Sequence, residues 1–157
     1  MNTVELAAVP SASPPDPPSP TLILVYRGSD QPNTLNPVVH DTAVVDPLTS
    51  AFSAVQHHWP SVVEHAGRIV VLAPALAALG DADKPLDAAV TGGLISLVRS
   101  LAIELERHGA TANTILFDTA PDEPSVQVLI TAVLDEQARS ITGQEIYAGA
   151  GLGKLRP

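Results

Sequence analysis

The sequence predicts an α/β fold with a mainly parallel sheet of about four strands. Three observations carry this expectation. The short apolar runs Thr21-Leu-Ile-Leu-Val-Tyr26, Arg68-Ile-Val-Val-Leu-Ala73 and Thr111-Ala-Asn-Thr-Ile-Leu-Phe117 suit strands buried on both faces. Segments of helical length separate them, and strands alternating with helices call for a parallel sheet with helices packed on its faces. Helix punctuation falls where that alternation needs it: Pro47 and Lys84-Pro85 open helices, and Gly109 closes one.

Taken in order, residues 1–20 differ from the predicted domain of residues 21–157. The stretch Ser11-Ala-Ser-Pro-Pro-Asp-Pro-Pro-Ser-Pro20 has few backbone donors and few side chains to bury, so it reads as a polyproline-like connector. Thr3 to Val9 precedes it and suits a short strand, provided a sheet edge receives it. Gly28, Ser29 and Asp30 end the 21–26 strand, and the polar stretch to Asp46 reads as a long loop. A helix follows from Pro47 through Phe52 towards His58. Pro74 stops the 68–73 strand, and a long helix runs from Lys84-Pro85 to about Arg107. After the 111–117 strand come a helix from Val126 to about Arg139 and a short final strand, Gln144 to Ala148. No internal repeat is visible.

Composition narrows the function. Hydrophobic residues are 45% of the 157, enough for one core, and the net charge of −9 argues against nucleic-acid and anionic-membrane partners. The absence of cysteine excludes disulfides, thiolate metal sites and a cysteine nucleophile, and aromatics at 3% make base-stacking platforms a poor fit. No uninterrupted apolar run has the length of a bilayer span, and no secretory signal is visible. The expectation is a soluble, acidic, cytoplasmic chain.

The long helix is apolar around most of its circumference. A surface helix of a monomer needs one apolar stripe, so a helix apolar nearly all round is covered on both sides. In a chain this small the second cover is expected to be another chain. The expected contact residues are Leu94, Leu97, Val98 and Leu101, Gly92 and Gly93 where backbones approach, and Phe52 and Val55 on the preceding helix.

From Pro47 to Gly151 the chain resembles the short-chain dehydrogenase/reductase family, especially its ketoacyl-reductase-like members. Leu48-Thr-Ser-Ala-Phe-Ser-Ala-Val-Gln-His-His-Trp-Pro60 is similar to the helix after the family's active-site Asn. Gly67-Arg-Ile-Val-Val-Leu-Ala73 is similar to the strand leading to the catalytic Ser. Leu97-Val-Arg-Ser-Leu-Ala-Ile-Glu-Leu-Glu-Arg-His-Gly109 resembles the helix that carries the catalytic Tyr and Lys. Ala112-Asn113 and Ile141-Thr-Gly-Gln144 resemble the openings of the last two strands. The resemblance implies a Rossmann-like three-layer fold, truncated because the chain begins near the family's third or fourth strand.

The same resemblance implies that the chemistry is gone. Counting along the matched segments puts Pro47 at the Asn position, Pro74 at the Ser position, Asp87 at the Tyr position and Thr91 at the Lys position. The Gly-rich turn that seats a nicotinamide cofactor in the family has no counterpart, and its Asn-Asn-Ala-Gly reads Tyr26-Arg27-Gly28. No catalytic, cofactor-binding or metal residue is therefore expected. A proline has no donor to polarise a carbonyl, and an ionised aspartate has no proton to give.

Other constellations have simpler readings. His57, His58, Glu64 and His65 lack HExxH-type spacing, with Pro60 expected to break the segment, so they read as a solvated helix end. Gly149-Ala-Gly-Leu-Gly-Lys154 lacks the first glycine and the following helix of a phosphate loop. Asp81, Asp83 and Asp87 suit a helix N-terminus electrostatically.

Two functions follow. The first is a non-catalytic subunit of a heteromeric complex, bound to a full-length, catalytically intact reductase of the same family acting on hydroxyacyl or ketoacyl substrates, with self-association as a variant. The second is a cofactor-independent enzyme or small-molecule-binding protein with a remodelled cleft around Asp87, using Asp87 with His57 or His58 for proton transfer and Tyr26, Trp59 and Phe117 to line the pocket. A second polar residue converging on Asp87 is the feature that supports the second.

Overall fold

The computed structural model describes residues 5–6, 19–30 and 41–149. Residues 31–40 of the loop expected before Asp46 (including His40), most of the Pro-rich connector, and Ala150 to Lys154 lie outside the described residues, whereas residues 41–45 of that expected loop are helical. The elements run β1 (Glu5–Leu6), β2 (Thr21–Val25), α1 (Asp46–Glu64), β3 (Arg68–Pro74), α2 (Ala75–Leu79), α3 (Pro85–Leu105), β4 (Thr111–Phe117), α4 (Pro124–Leu134) and β5 (Glu145–Ala148). A five-residue π-helical stretch, Asp41–Val45, leads into α1, and short 3₁₀ turns follow α3 and α4.

The sheet order is β1-β2-β3-β4-β5, with β2 to β5 mutually parallel and β1 antiparallel at the edge. Glu5 pairs with Val25 and Leu6 with Leu24, so part of the Thr3 to Val9 segment lies on the strand edge it was expected to cover. Alternate side chains sort to opposite faces. Leu22, Leu24, Ile69, Val71 and Ala112 pack with Ala51, Val55, Val90, Leu94 and Val98 of α1 and α3. Ile23, Val25, Val70, Leu72, Ile115 and Phe117 pack with Val126, Ile130 and Val133 of α4. The result is three layers. All three crossovers step the same way across the sheet, so α4, on the opposite face from α1 and α3, makes a connection of the opposite hand. Right-handed connections are the strong rule, which makes α4 the exception.

Three expectations need correction. Pro60 does not break α1, which continues to Glu64. Pro60 is exposed and forfeits one helical hydrogen bond, while Trp59 and Val62 hold the final turns to the core. Residues 75–79, assigned no structure from sequence, form α2. Ala75 and Ala78 pack against Ile95 of α3 and Leu116 of β4. Much of the apolar circumference of α3 is therefore already covered within the chain, by the sheet, α1 and α2, so its buried side chains do not need a second chain to cover them. Of its large apolar residues only Ile103 is strongly exposed, at 77%. By length and composition α3 would also pass as a membrane-crossing helix, but a core helix passes that test too, and its buried side chains meet α1 and the sheet.

Candidate functional site

The site that the sequence pointed to lies where the C-terminal ends of β2 and β3 meet the first turn of α3. Tyr26 follows β2 directly, and its N–H donates to the Leu72 carbonyl at 2.9 Å, which extends the ladder by one residue. That register puts its side chain on the α1/α3 face with Leu22 and Leu24. Asp87 occupies the first turn of α3, where the helix dipole favours a negative charge.

The two side chains meet. The Tyr26 hydroxyl donates to Asp87 Oδ1 at 2.7 Å, and the Ser29 N–H donates to Asp87 Oδ2 at 2.9 Å. Lys84, at the cap of α3, donates from Nζ to the Ser29 carbonyl at 2.5 Å. Tyr26 and Asp87 are 1% and 2% exposed, so both are interior groups. Burial, the hydrogen bond to Asp87 and the charge of Asp87 together push the Tyr26 phenol far above its ordinary range. Asp87 therefore acts as an internal acceptor, and Tyr26 gives its proton to no other group.

Gly28 closes the turn over this pair. Its φ of +74° is left-handed, and a Cβ there would lie 3.2 Å from both Asp87 Oδ2 and Pro74 Cγ. The backbone between Tyr26 and Ser29 thus rests against Asp87 and Pro74. Thr91, one turn along α3 from Asp87, is fully buried, and its hydroxyl has no hydrogen-bond partner. Pro47 is buried in the first turn of α1. The structure brings Asp87, Pro74 and Gly28 together with Tyr26, which was expected only to line a pocket, and adds Ser29 and Lys84, which sequence reasoning did not assign to the site. Of the other two expected lining residues, Trp59 packs on the same face as Tyr26, whereas Phe117 packs on the opposite face of the sheet. The one available signal was a tyrosine ending an otherwise aliphatic buried strand.

Elsewhere, Phe117 is buried and Asp118 exposed, with Asp118 Cβ 2.9 Å from where a Cβ on Gly149 would sit. His57 and His58 contact edge to face at 5.0 Å. Among the described residues, no group of three or more histidine or acidic side chains is placed to hold a metal ion.

The expected contact residues divide. Val55, Leu94, Val98 and Leu101 are buried in this chain's own core, and Leu97 is partly buried against it. A Cβ on Gly93 would fall 2.8 Å from Leu48 Cδ2, so the close approach there is between α3 and α1 of the same chain. Gly92 is exposed, with nothing within 4 Å of a Cβ. Phe52 is 51% exposed, and Val45 just before α1 is 52% exposed.

No family model and no curated protein matches the chain. Solved structures do. The chain is similar to 4-hydroxyisoleucine dehydrogenase, complexed with NADH and succinate, at TM-score 0.64 and 19% identity over 84% of this chain and 68% of that one. It is similar to a protein described as an oxidoreductase from Escherichia coli str. K-12, at TM-score 0.68 and 22% identity, covering 86% and 65%. It is also similar to acetoin dehydrogenase from Enterobacter cloacae, at TM-score 0.69 and 20% identity, again covering 86% and 65%. The chain has a Rossmann-like dehydrogenase fold. It spans about two thirds of the length of these three proteins. At these identities the shared property is the fold, and the position of Asp87 within it frames the functional question.

Proposed function

We propose that this chain is a non-catalytic subunit that associates with a catalytically intact Rossmann-like dehydrogenase of the short-chain dehydrogenase/reductase type and stabilises or positions it. Its expected setting is the cytoplasm, and the substrates of the complex are expected to be hydroxyacyl or ketoacyl compounds. One observation carries the reading: both Asp87 oxygens are taken by donors of the same chain, Tyr26 and Ser29, inside the protein. A group that is to serve a substrate must be reachable, and at 2% exposure Asp87 is not. Pro74 beside it offers no donor, and Thr91 offers no charge.

The alternative, a cofactor-independent site built on Asp87, gains the convergence of polar groups that it requires. Those groups satisfy one another at about 1–2% exposure for Tyr26 and Asp87, which favours a structural latch over a working cleft. The surface left for association includes Phe52, Val45 and Gly92. Co-expression with reductases encoded beside it, followed by native mass spectrometry and light scattering, tests the proposal. The expected result is a stoichiometric mixed complex. A stable monomer that captures no reductase, and that converts a carbonyl substrate when isolated, would overturn it.

A further inference from the structure

The β2 edge of the sheet is held by a segment that reaches it through a proline-rich connector. β1 lies antiparallel on β2, with Glu5 opposite Val25 and Leu6 opposite Leu24. Among the described residues that ladder is two pairs long, which is marginal by itself, so it can open and re-form. The β2 side chains Leu22, Ile23, Leu24 and Val25 are all buried. The part of β2 that needs cover is therefore its backbone edge, a template for any chain that can pair with it.

The connector, residues 7–18, has a fixed span to bridge. At its far end Pro20 is anchored through its carbonyl, which accepts from the Arg68 N–H at 2.8 Å. At its near end Leu6 sits opposite Leu24, five residues along from Ser19. At about 3.3 Å per residue along a strand and about 4.8 Å between strands, the two ends are about 17 Å apart. A flexible chain of this length has a mean span of about 17–21 Å and closes that gap freely. This connector holds five prolines in twelve residues: Pro10, Pro14, Pro15, Pro17 and Pro18. A polyproline chain rises about 3.1 Å per residue, or about 37 Å over the same length. Pairing β1 with its own β2 therefore bends a stiff connector back to less than half its extended length.

We propose that the β2 edge is an interface with a second copy of this chain, the two copies exchanging their β1 strands to form a two-fold symmetric dimer. The backbone pairing is the same one, Glu5 with Val25 and Leu6 with Leu24, and only the chain that supplies it changes. The occupant is this chain's own segment, because the register already fits it. The second copy supplies it, because an extended connector delivers β1 away from the β2 it precedes. Exchange relieves the bend and covers both sheet edges at once, which makes it a low-cost route to a dimer. The proposal does not rest on the subunit reading above.

Connector stiffness makes the proposal testable without touching the core. The full chain is expected to be a dimer by size-exclusion chromatography with light scattering across a dilution series. Replacing Pro14, Pro15, Pro17 and Pro18 by glycine lets β1 return to its own sheet, and the dimer dissociation constant should rise about tenfold or more. The chain has no cysteine, so an introduced pair reads the donor directly. After oxidation, Leu6→Cys/Leu24→Cys should give a covalent dimer on a non-reducing gel, and Glu5→Cys/Val25→Cys replaces that pair if it does not fold. A parent that stays monomeric at every dilution would overturn the proposal. So would a dimer indifferent to the four prolines, or a disulfide closed within one chain, since each leaves β1 on its own β2.

Discussion

Replacing Tyr26 by Phe removes one oxygen atom from the interior and leaves Asp87 Oδ1 without its 2.7 Å donor. Asp87 Oδ2 keeps the Ser29 N–H at 2.9 Å. A hydrogen bond to a charged group is worth about 1.5–3 kcal/mol, and an unsatisfied buried acceptor adds its own desolvation cost. Tyr26→Phe is therefore expected to cost about 2–3 kcal/mol. Asp87→Ala strands both the phenol and the amide and removes buried volume, so about 3–4 kcal/mol is expected. With both changes together the phenol and the carboxylate are gone, and the double variant should recover about 1.5 kcal/mol or more relative to the sum of the single effects. Urea unfolding followed by circular dichroism measures all three. A coupling energy below about 0.5 kcal/mol would refute the latch, since that is the scatter expected of independent sites.

The remaining predictions concern pH, the helix glycines and the sheet edge. Tyr26 has a raised folded pKa, so the folded chain holds the phenolic proton after the unfolded chain has released it. Stability is therefore retained below the ordinary phenol range near pH 10 and falls above it, by about 1.4 kcal/mol per pH unit for this one proton. Tyr26→Phe should flatten that alkaline slope in denaturant titrations. Gly93→Leu is expected to lower stability by about 1–3 kcal/mol because Leu48 already fills the space. Gly92→Leu meets open space and should raise stability by about 0.5–1 kcal/mol through helix propensity. Thermal melts compare the two, and the opposite order would count against this α1–α3 packing. Deleting residues 1–18 removes β1 from the β2 edge and should raise light scattering at a given concentration. Unchanged scattering would show that the edge needs no cover.

The strands were legible because a strand buried on both faces leaves an uninterrupted apolar run. Arg68–Pro74 and Thr111–Phe117 match the sequence reading to within a residue. Gly109, with its left-handed φ of 66°, closes the 3₁₀ turn after α3 as its position suggested. The α2 turn was not legible. Ala75-Leu-Ala-Ala-Leu79 is too short to show a period, and packing against Ile95 and Leu116 decides its state. The α3 surface misled for a related reason. A run of apolar residues tells that a helix is covered, but not whether the cover is the sheet, a neighbouring helix or another chain. At the site, Asp87 stood out from the resemblance alone, whereas its phenol partner is 61 residues away in sequence. No local pattern announces such a pairing. It exists because β2 and α3 end at the same corner of the fold.

The sign of a substitution at Asp87 separates a working site from a latch. A site that serves a substrate keeps polar groups underused in its absence, and replacing them often stabilises the protein. A latch has already spent those groups on itself, so replacing them destabilises. Asp87→Asn is the sharpest form of the test, because it keeps shape and removes only the charge. Its amide oxygen can accept from one donor, but its NH2 would face the other and lose that contact. If Asp87 were held ready for chemistry, the buried charge would be a burden, and Asn would relieve it. With Tyr26 on one oxygen, Ser29 on the other and the α3 N-terminus behind them, the charge is instead what these donors were placed to meet. Asp87→Asn is accordingly expected to cost about 1–3 kcal/mol in urea unfolding, close to one charge-assisted hydrogen bond. A stabilised Asn variant would reverse the assignment and return the cleft around Asp87 to the candidates for catalysis.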